Sequence, residues 1–119
     1  MSEWARAFAL TVVVEVAVAV PLLGALGSPA GRVRRAAVVA LASAVTHPVL
    51  WVAVRAVGDD DVTWTVAVLT GEVVAVAVEA VVLVVALPGA EPDRRQRVLV
   101  AVLMNAVSAA AGLLLIAVG

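Results

Sequence analysis

The sequence contains no cysteine, no lysine and no tyrosine, and charged residues make up only 14% of its 119 residues. Without cysteine the chain cannot form disulfides, thiolate metal sites or a cysteine nucleophile. Eight basic residues, all arginine, and nine acidic ones give a net charge of −1. This charge does not suit a phosphate backbone, so no nucleic-acid partner is expected. Soluble domains carry about 25% charged residues, so the shortage of charge argues against a soluble domain.

Hydrophobic residues, by contrast, make up 65% of the chain and gather in four long stretches. A membrane-spanning helix needs about 20 mainly apolar residues. Four stretches reach roughly this length, with short turn-rich connections between them: residues 7–26, 36–54, 62–87 and 98–118. The sequence predicts an all-α integral membrane protein, a single domain over 1–119 folded as an antiparallel bundle of four transmembrane helices.

The charges of the connections predict how the bundle is oriented in the lipid bilayer. Residues 27–35 and 88–97 each hold three arginines, whereas the middle connection holds Asp59, Asp60 and Asp61. Arginine-rich connections stay in the cytoplasm, which places both termini outside. The bias towards alanine, valine and arginine indicates a bacterial source, so we expect a multi-pass protein of the bacterial inner membrane.

Strongly polar residues inside the apolar stretches are the main functional signal. Such groups are costly in a bilayer and usually face the bundle interior or a water-filled cavity. Each of the four stretches supplies at least one, and the set is Glu15, His47, Glu72, Glu79 and Asn105. We take these five as candidate ion- or proton-binding residues.

Depth within each stretch predicts how these residues group. Measured from the middle of its own stretch at about 1.5 Å per residue, Glu15, His47 and Glu72 share one layer. Glu79 and Asn105 form a second layer closer to the cytoplasm. The first layer supplies the candidate metal ligands, since imidazole and carboxylates bind divalent transition metals. The same groups can also pass protons.

Small and polar neighbours support the site in this prediction. Ser43, Thr46 and Ser108 offer hydroxyls, and Pro48 frees a backbone carbonyl one turn earlier, near His47. Buried polar groups can also merely hold helices together, at about 0.6 kcal/mol each. Three carboxylates and a histidine exceed what that role requires.

The leading functional prediction is a small transporter or channel-like protein that moves a proton or a divalent cation. One alternative is a membrane metalloenzyme acting on a lipid-soluble substrate, and another is a non-catalytic assembly subunit of a larger membrane complex. An enzyme is less favoured, because the sequence has no HExxH motif and no compelling Ser/His/Asp arrangement. Four short helices enclose little space, so a homo-oligomer or larger complex is expected. No motif identifies a known family, and the two halves show no convincing repeat.

Overall fold

Four long α-helices account for almost all of the structure, a computed structural model that describes residues 2–57, 60–87 and 92–118 apart from the Ile116 side chain. They are α1 (Glu3–Ala25), α2 (Arg32–Ala56), α3 (Asp61–Ala86) and α4 (Arg94–Val118). All four are long and apolar enough to cross a membrane. The described residues contain no strand, which confirms the predicted all-helical fold.

The helices start earlier than the apolar stretches, by about one turn in α1, α2 and α4. Each of these extra turns contains charged residues, and side-chain caps mark the starts of α1 and α3. Ser2 Oγ accepts a hydrogen bond from the Ala5 N–H at 3.2 Å, and Asp60 Oδ1 accepts one from the Thr63 N–H at 2.9 Å. The hydrogen bonds from Thr63 hold the pKa of the exposed Asp60 carboxyl below its usual value. Asp59, the first of the three aspartates in this connection, is outside the described residues.

The end of α1 is closed by a glycine turn. Gly27 has a φ of 93°, a conformation that glycine adopts without strain. Its N–H donates to the Gly24 carbonyl at 3.1 Å, and the Ser28 N–H donates to the Leu23 carbonyl at 2.9 Å. These two bonds satisfy carbonyls that the helix leaves unpaired. The chain can therefore reverse within six residues and start α2 antiparallel to α1.

The four helices form a closed ring in which each packs against two neighbours. Helix α1 packs against α2 and α4, and α3 packs against the same two, so α1 lies diagonally across from α3. The bundle measures 45 × 24 × 19 Å, and its long dimension matches a bilayer with its headgroups, about 40–45 Å.

Packing is tight at one end of the bundle and loose at the other. We call the end that carries residues 26–31 and the start of α4 the arginine end, and the opposite end the terminal end. At the arginine end, fully buried side chains form one apolar cluster, and these include Ala19, Leu23, Val39, Leu83, Val100, Ala101 and Met104. At the terminal end, the described residues 2–14, 47–57, 60–74 and 109–118 include none that is buried.

Large apolar side chains cover the outside of the bundle. Val49, Val73, Val85 and Leu114 are each more than 60% exposed, and many other valines and leucines are exposed with them. A water-soluble protein rarely presents so much contiguous apolar surface. This surface fits the interior of a lipid bilayer.

Candidate functional site

Two buried carboxylates and one imidazole meet inside the bundle, where the tight packing of the arginine end begins. The Nε2 atom of His47 lies 3.3 Å from Glu15 Oε1 and 3.6 Å from Glu79 Oε1. One ligand atom from each of the three residues lies within 4.8 Å of the others. Both glutamates are fully buried, and the His47 side chain is 12% exposed. We call these three residues the Glu–His cluster.

Glu15 is held by hydroxyls from two different helices. Ser43 of α2 donates a short hydrogen bond to Oε2. Ser108 of α4 places its Oγ 3.2 Å from Oε1, and the same hydroxyl lies 3.1 Å from the backbone carbonyl of Asn105. Glu15 Oε1 therefore faces His47 and also contacts the Ser108 hydroxyl, which has a helix carbonyl within hydrogen-bond reach.

Glu79 is held in the same manner. The Asn105 amide donates a short hydrogen bond to Oε2. The Oγ1 atom of Thr46 lies 2.8 Å from Oε1 and 3.0 Å from the backbone carbonyl of Ala42. The Oδ1 atom of Asn105, a residue only 2% exposed, has no hydrogen-bond partner among the described residues. One polar atom beside the cluster is thus left free to bind something else.

The two carboxylate environments define an approximate two-fold repeat that relates the α1–α2 hairpin to the α3–α4 hairpin. In each, Oε2 accepts from the second helix of its own hairpin, and Oε1 contacts a hydroxyl of the other hairpin. The equivalent pairs are Glu15 and Glu79, Ser43 and Asn105, and Thr46 and Ser108. His47 breaks the repeat, because the equivalent position holds Ala109. Sequence comparison of the halves misses the repeat because most equivalent residues differ in type.

The repeat extends to two buried arginines at the arginine end. Arg35 Nη1 donates to the Val20 carbonyl at 3.0 Å, and Arg97 Nη1 donates to the Val84 carbonyl at 2.9 Å. Gly24 lets the Arg35 guanidinium lie directly against α1, since a Cβ there would collide with it. Arg35 precedes Ser43, and Arg97 precedes Asn105, by eight residues, or about 12 Å along the helix.

The predicted layers need a correction, because Glu79 rather than Glu72 completes the group around His47. Glu72 is half-buried and lines a small pocket of about 330 Å³ between α2 and α3, beside Trp51 and Trp64. Among the described residues, no hydrogen bond or ion pair joins it to Glu15, His47 or Glu79. The error arose from measuring depth from the middle of the third stretch.

The other predicted residues lie at or next to the cluster. Asn105, Ser43, Thr46 and Ser108 all contact a cluster carboxylate. Pro48 lies in α2 directly after His47, and the helix continues through it to Ala56. The predicted second layer of Glu79 and Asn105 does not exist as a separate layer, since both residues belong to the same group as Glu15.

Access to the cluster differs between the two ends of the bundle. Towards the arginine end, the fully buried Leu23, Leu83 and Met104 and the buried Arg35 block the path. Towards the terminal end, an apolar groove of about 710 Å³ runs between α2 and α3 and reaches Thr46. The cluster thus lies at the bottom of the loosely packed half and is sealed from the other side.

Charge balance limits what this cluster can do. Two ionised carboxylates beside a neutral imidazole carry a charge of −2, and isolated buried charge is expensive. Either protons on these groups or a bound cation can neutralise it. Imidazole and carboxylate oxygen are both ligands for first-row divalent metals. The arrangement can therefore bind and release protons, a divalent cation, or both.

Comparison with known protein families, curated proteins and solved structures finds no match to this chain. The function is therefore inferred from the Glu–His cluster and the residues around it.

Counting residues from Arg35 and Arg97 would have predicted the depth of the polar layer from the sequence. Ser43 and Asn105 both come eight residues after these arginines, which lie in the first turns of α2 and α4, and Thr46 and Ser108 both come eleven residues after them. This shared spacing defines the depth of the polar layer independently of where each apolar stretch begins and ends. Thr46 and Asn105, the two residues that contact Glu79, both belong to this layer.

Proposed function

We propose that this chain is a small cation transporter of the bacterial inner membrane, with the arginine end in the cytoplasm. The observation that carries the proposal is the Glu–His cluster, which collects two fully buried carboxylates and an imidazole inside a bundle of four apolar helices. Ionisable side chains are costly inside a bilayer and are retained there where a cation or a proton must be bound.

The packing supports a transport cycle in which access alternates between the two sides. The terminal half of the bundle is loosely packed, and its groove reaches Thr46 beside the Glu–His cluster. The buried apolar side chains at the arginine end, which include Leu23, Leu83 and Met104 and which we call the apolar plug, close the other side. This corresponds to a state in which the cluster faces outward. A cation bound there reaches the cytoplasm only when the hairpins move and the plug around Leu23 and Leu83 opens.

Flux measurements on two glutamate variants test this proposal. Purified protein is reconstituted into liposomes, and proton and Mn²⁺ uptake are followed with fluorescent dyes. Glu79→Gln removes one carboxylate of the cluster and is expected to abolish flux. Glu72→Gln is the matched control, because it makes the same change on the same helix seven residues away. That control is expected to keep at least half of the flux.

Two results would contradict the proposal. Flux that survives Glu79→Gln in folded protein would show that the cluster does not carry the cation. Loss of flux in both variants alike would show that the carboxylates act through general stability. Elution of each variant as a single symmetric peak from size-exclusion chromatography in detergent separates loss of function from loss of fold.

A second candidate function is a membrane metalloenzyme acting on a lipid-soluble substrate. The apolar groove favours it, because about 710 Å³ is enough for a chain-like apolar molecule and its wall includes Thr46, which contacts Glu79. Conversion of an isoprenoid or acyl lipid that stops in His47→Ala, with no flux in liposomes, would favour this function over transport.

A further inference from the structure

We infer that the Glu–His cluster exchanges one divalent transition-metal ion for two protons. This inference rests on the proposed cation-transport function and identifies its substrate class and its stoichiometry. It is carried by the geometry of the two Oε1 atoms, by the free amide oxygen of Asn105, and by the charge of the cluster.

The spacing of the ligand atoms matches that of a tetrahedral metal site. His47 Nε2 lies 3.3 and 3.6 Å from the two Oε1 atoms. In a tetrahedral site with metal–ligand bonds of about 2.0–2.2 Å, neighbouring ligand atoms are about 3.3–3.6 Å apart. Two edges of such a tetrahedron are thus already present, with Glu15 Oε1, Glu79 Oε1 and His47 Nε2 as three of its corners.

One amide oxygen of a residue that contacts Glu79 has no partner among the described residues. Asn105 is 2% exposed and its Oδ1 has no hydrogen-bond partner among the described residues, while its Nδ2 donates to Glu79 Oε2. A buried polar atom without a partner costs about 1–3 kcal/mol. An amide oxygen is a good ligand for a divalent cation, and we therefore assign Oδ1 as the fourth ligand.

The hydroxyls next to the two Oε1 atoms can accommodate protons there when no metal is bound. The hydroxyls of Thr46 and Ser108 each lie within hydrogen-bond reach of a helix carbonyl and of a glutamate Oε1. A hydroxyl has one proton to donate and cannot serve both acceptors. With a proton on Oε1, the carboxylic acid would donate to the hydroxyl and the hydroxyl to the carbonyl, so the geometry accommodates a proton at each Oε1 atom.

Charge neutrality fixes the stoichiometry. With neutral imidazole and both carboxylates ionised, the cluster carries −2, so two protons shared among the three groups make it neutral. One divalent ion does the same. When the ion forms bonds to the two Oε1 atoms and to Nε2, two protons leave to water and the net charge stays at zero. The donor set of one imidazole and several oxygens, without sulfur, suits Mn²⁺, Fe²⁺ or Zn²⁺.

Calorimetry counts the protons directly. The full-length protein in detergent is titrated with MnCl₂ and with ZnCl₂ in two buffers of different ionisation enthalpy. We expect one ion bound and about two protons released, so that affinity rises about 100-fold per pH unit while both protons are still bound. Glu79→Gln should lower the count to about one, because one proton then neutralises the cluster. Glu72→Gln should leave it at two.

A serine at position 105 tests the fourth ligand. Asn105→Ser keeps a donor for Glu79, as Ser43 does for Glu15, and removes the amide oxygen. Affinity for Mn²⁺ should fall at least tenfold with two protons still released. Unchanged affinity would remove Oδ1 from the site.

Other outcomes separate this inference from the proposed function. Metal binding with no proton release, or a count that Glu79→Gln leaves unchanged, would overturn the exchange. Proton flux in liposomes without any metal binding would also overturn it and leave cation transport standing. Binding with two protons released but no flux of either ion would uphold the exchange and overturn transport.

Discussion

Replacing Thr46 by valine should tighten metal binding, although the threonine contacts the site. Valine has nearly the same shape but no hydroxyl. The Thr46 hydroxyl lies 2.8 Å from Glu79 Oε1 and 3.0 Å from the Ala42 carbonyl. In the proposed protonated state, the Glu79 carboxylic acid would donate to this hydroxyl and the hydroxyl to Ala42, so valine would remove two hydrogen bonds. In the metal-bound state, Glu79 Oε1 is satisfied by the ion, and valine removes only the bond to Ala42.

The difference between the two states sets the expected magnitude. One buried hydrogen bond is worth about 0.5–1.5 kcal/mol, and pairs inside membrane bundles average about 0.6 kcal/mol. The variant should therefore bind Mn²⁺ about 3–10 times more tightly, since 1.4 kcal/mol is about a factor of ten. The metal-free protein should lose about 1–2 kcal/mol of stability for the same reason.

Calorimetry with MnCl₂ and thermal unfolding in detergent measure both effects. Thr70→Val is the matched control, because Thr70 is exposed on α3 and makes no hydrogen bond through its side chain among the described residues. It should change neither quantity. Weaker metal binding in Thr46→Val would refute the protonated arrangement, since it would show that the hydroxyl stabilises the metal-bound carboxylate instead.

Two further predictions concern packing at the arginine end. Leu83→Ala removes a fully buried side chain from the plug and should cost about 2 kcal/mol in thermal unfolding, the lower end for buried leucines because the unfolded chain stays in lipid. It should also let protons leak through liposomes, whereas Leu69→Ala, 62% exposed, should do neither. Gly24→Ala should be about 1–2 kcal/mol less stable than Gly112→Ala, because only the first displaces Arg35 from its carbonyl. Equal unfolding temperatures would show that this contact contributes nothing.

The helices were predictable because a bilayer leaves the backbone few choices. Long apolar stretches in lipid must satisfy their own hydrogen bonds, so hydropathy alone indicates four helices. The residues of the site were also predictable, since polar groups such as Glu15 and Asn105 are conspicuous among valines and alanines. The prediction that failed was the depth of the polar residues along their helices. From Glu79, helix α3 extends further towards the terminal end than towards the arginine end. The middle of the third stretch therefore lies closer to Glu72 than to Glu79.

The hydrogen-bond pattern of the site could not be predicted from the sequence, for a different reason. Whether Ser108 reaches Glu15 or Glu79 depends on helix rotation and on which helices are neighbours in the ring. Spacing within one helix does not determine either. The crossed pattern, in which Thr46 contacts Glu79 and Ser108 contacts Glu15, exists only once the two hairpins have packed together.

The depth of the cluster determines how it would respond to membrane voltage. In the proposed orientation, the buried arginines mark the cytoplasmic boundary of a hydrocarbon layer about 30 Å thick. Ser43 and Asn105, which contact the cluster carboxylates, lie about 12 Å from these arginines along their helices. A bare divalent ion arriving from outside would cross about three-fifths of the field, and 100 mV would favour its binding by about 3 kcal/mol, or roughly a hundredfold. Two protons leaving by the same route cancel that charge movement. The exchange is then electrically silent, and only the two concentration gradients drive it.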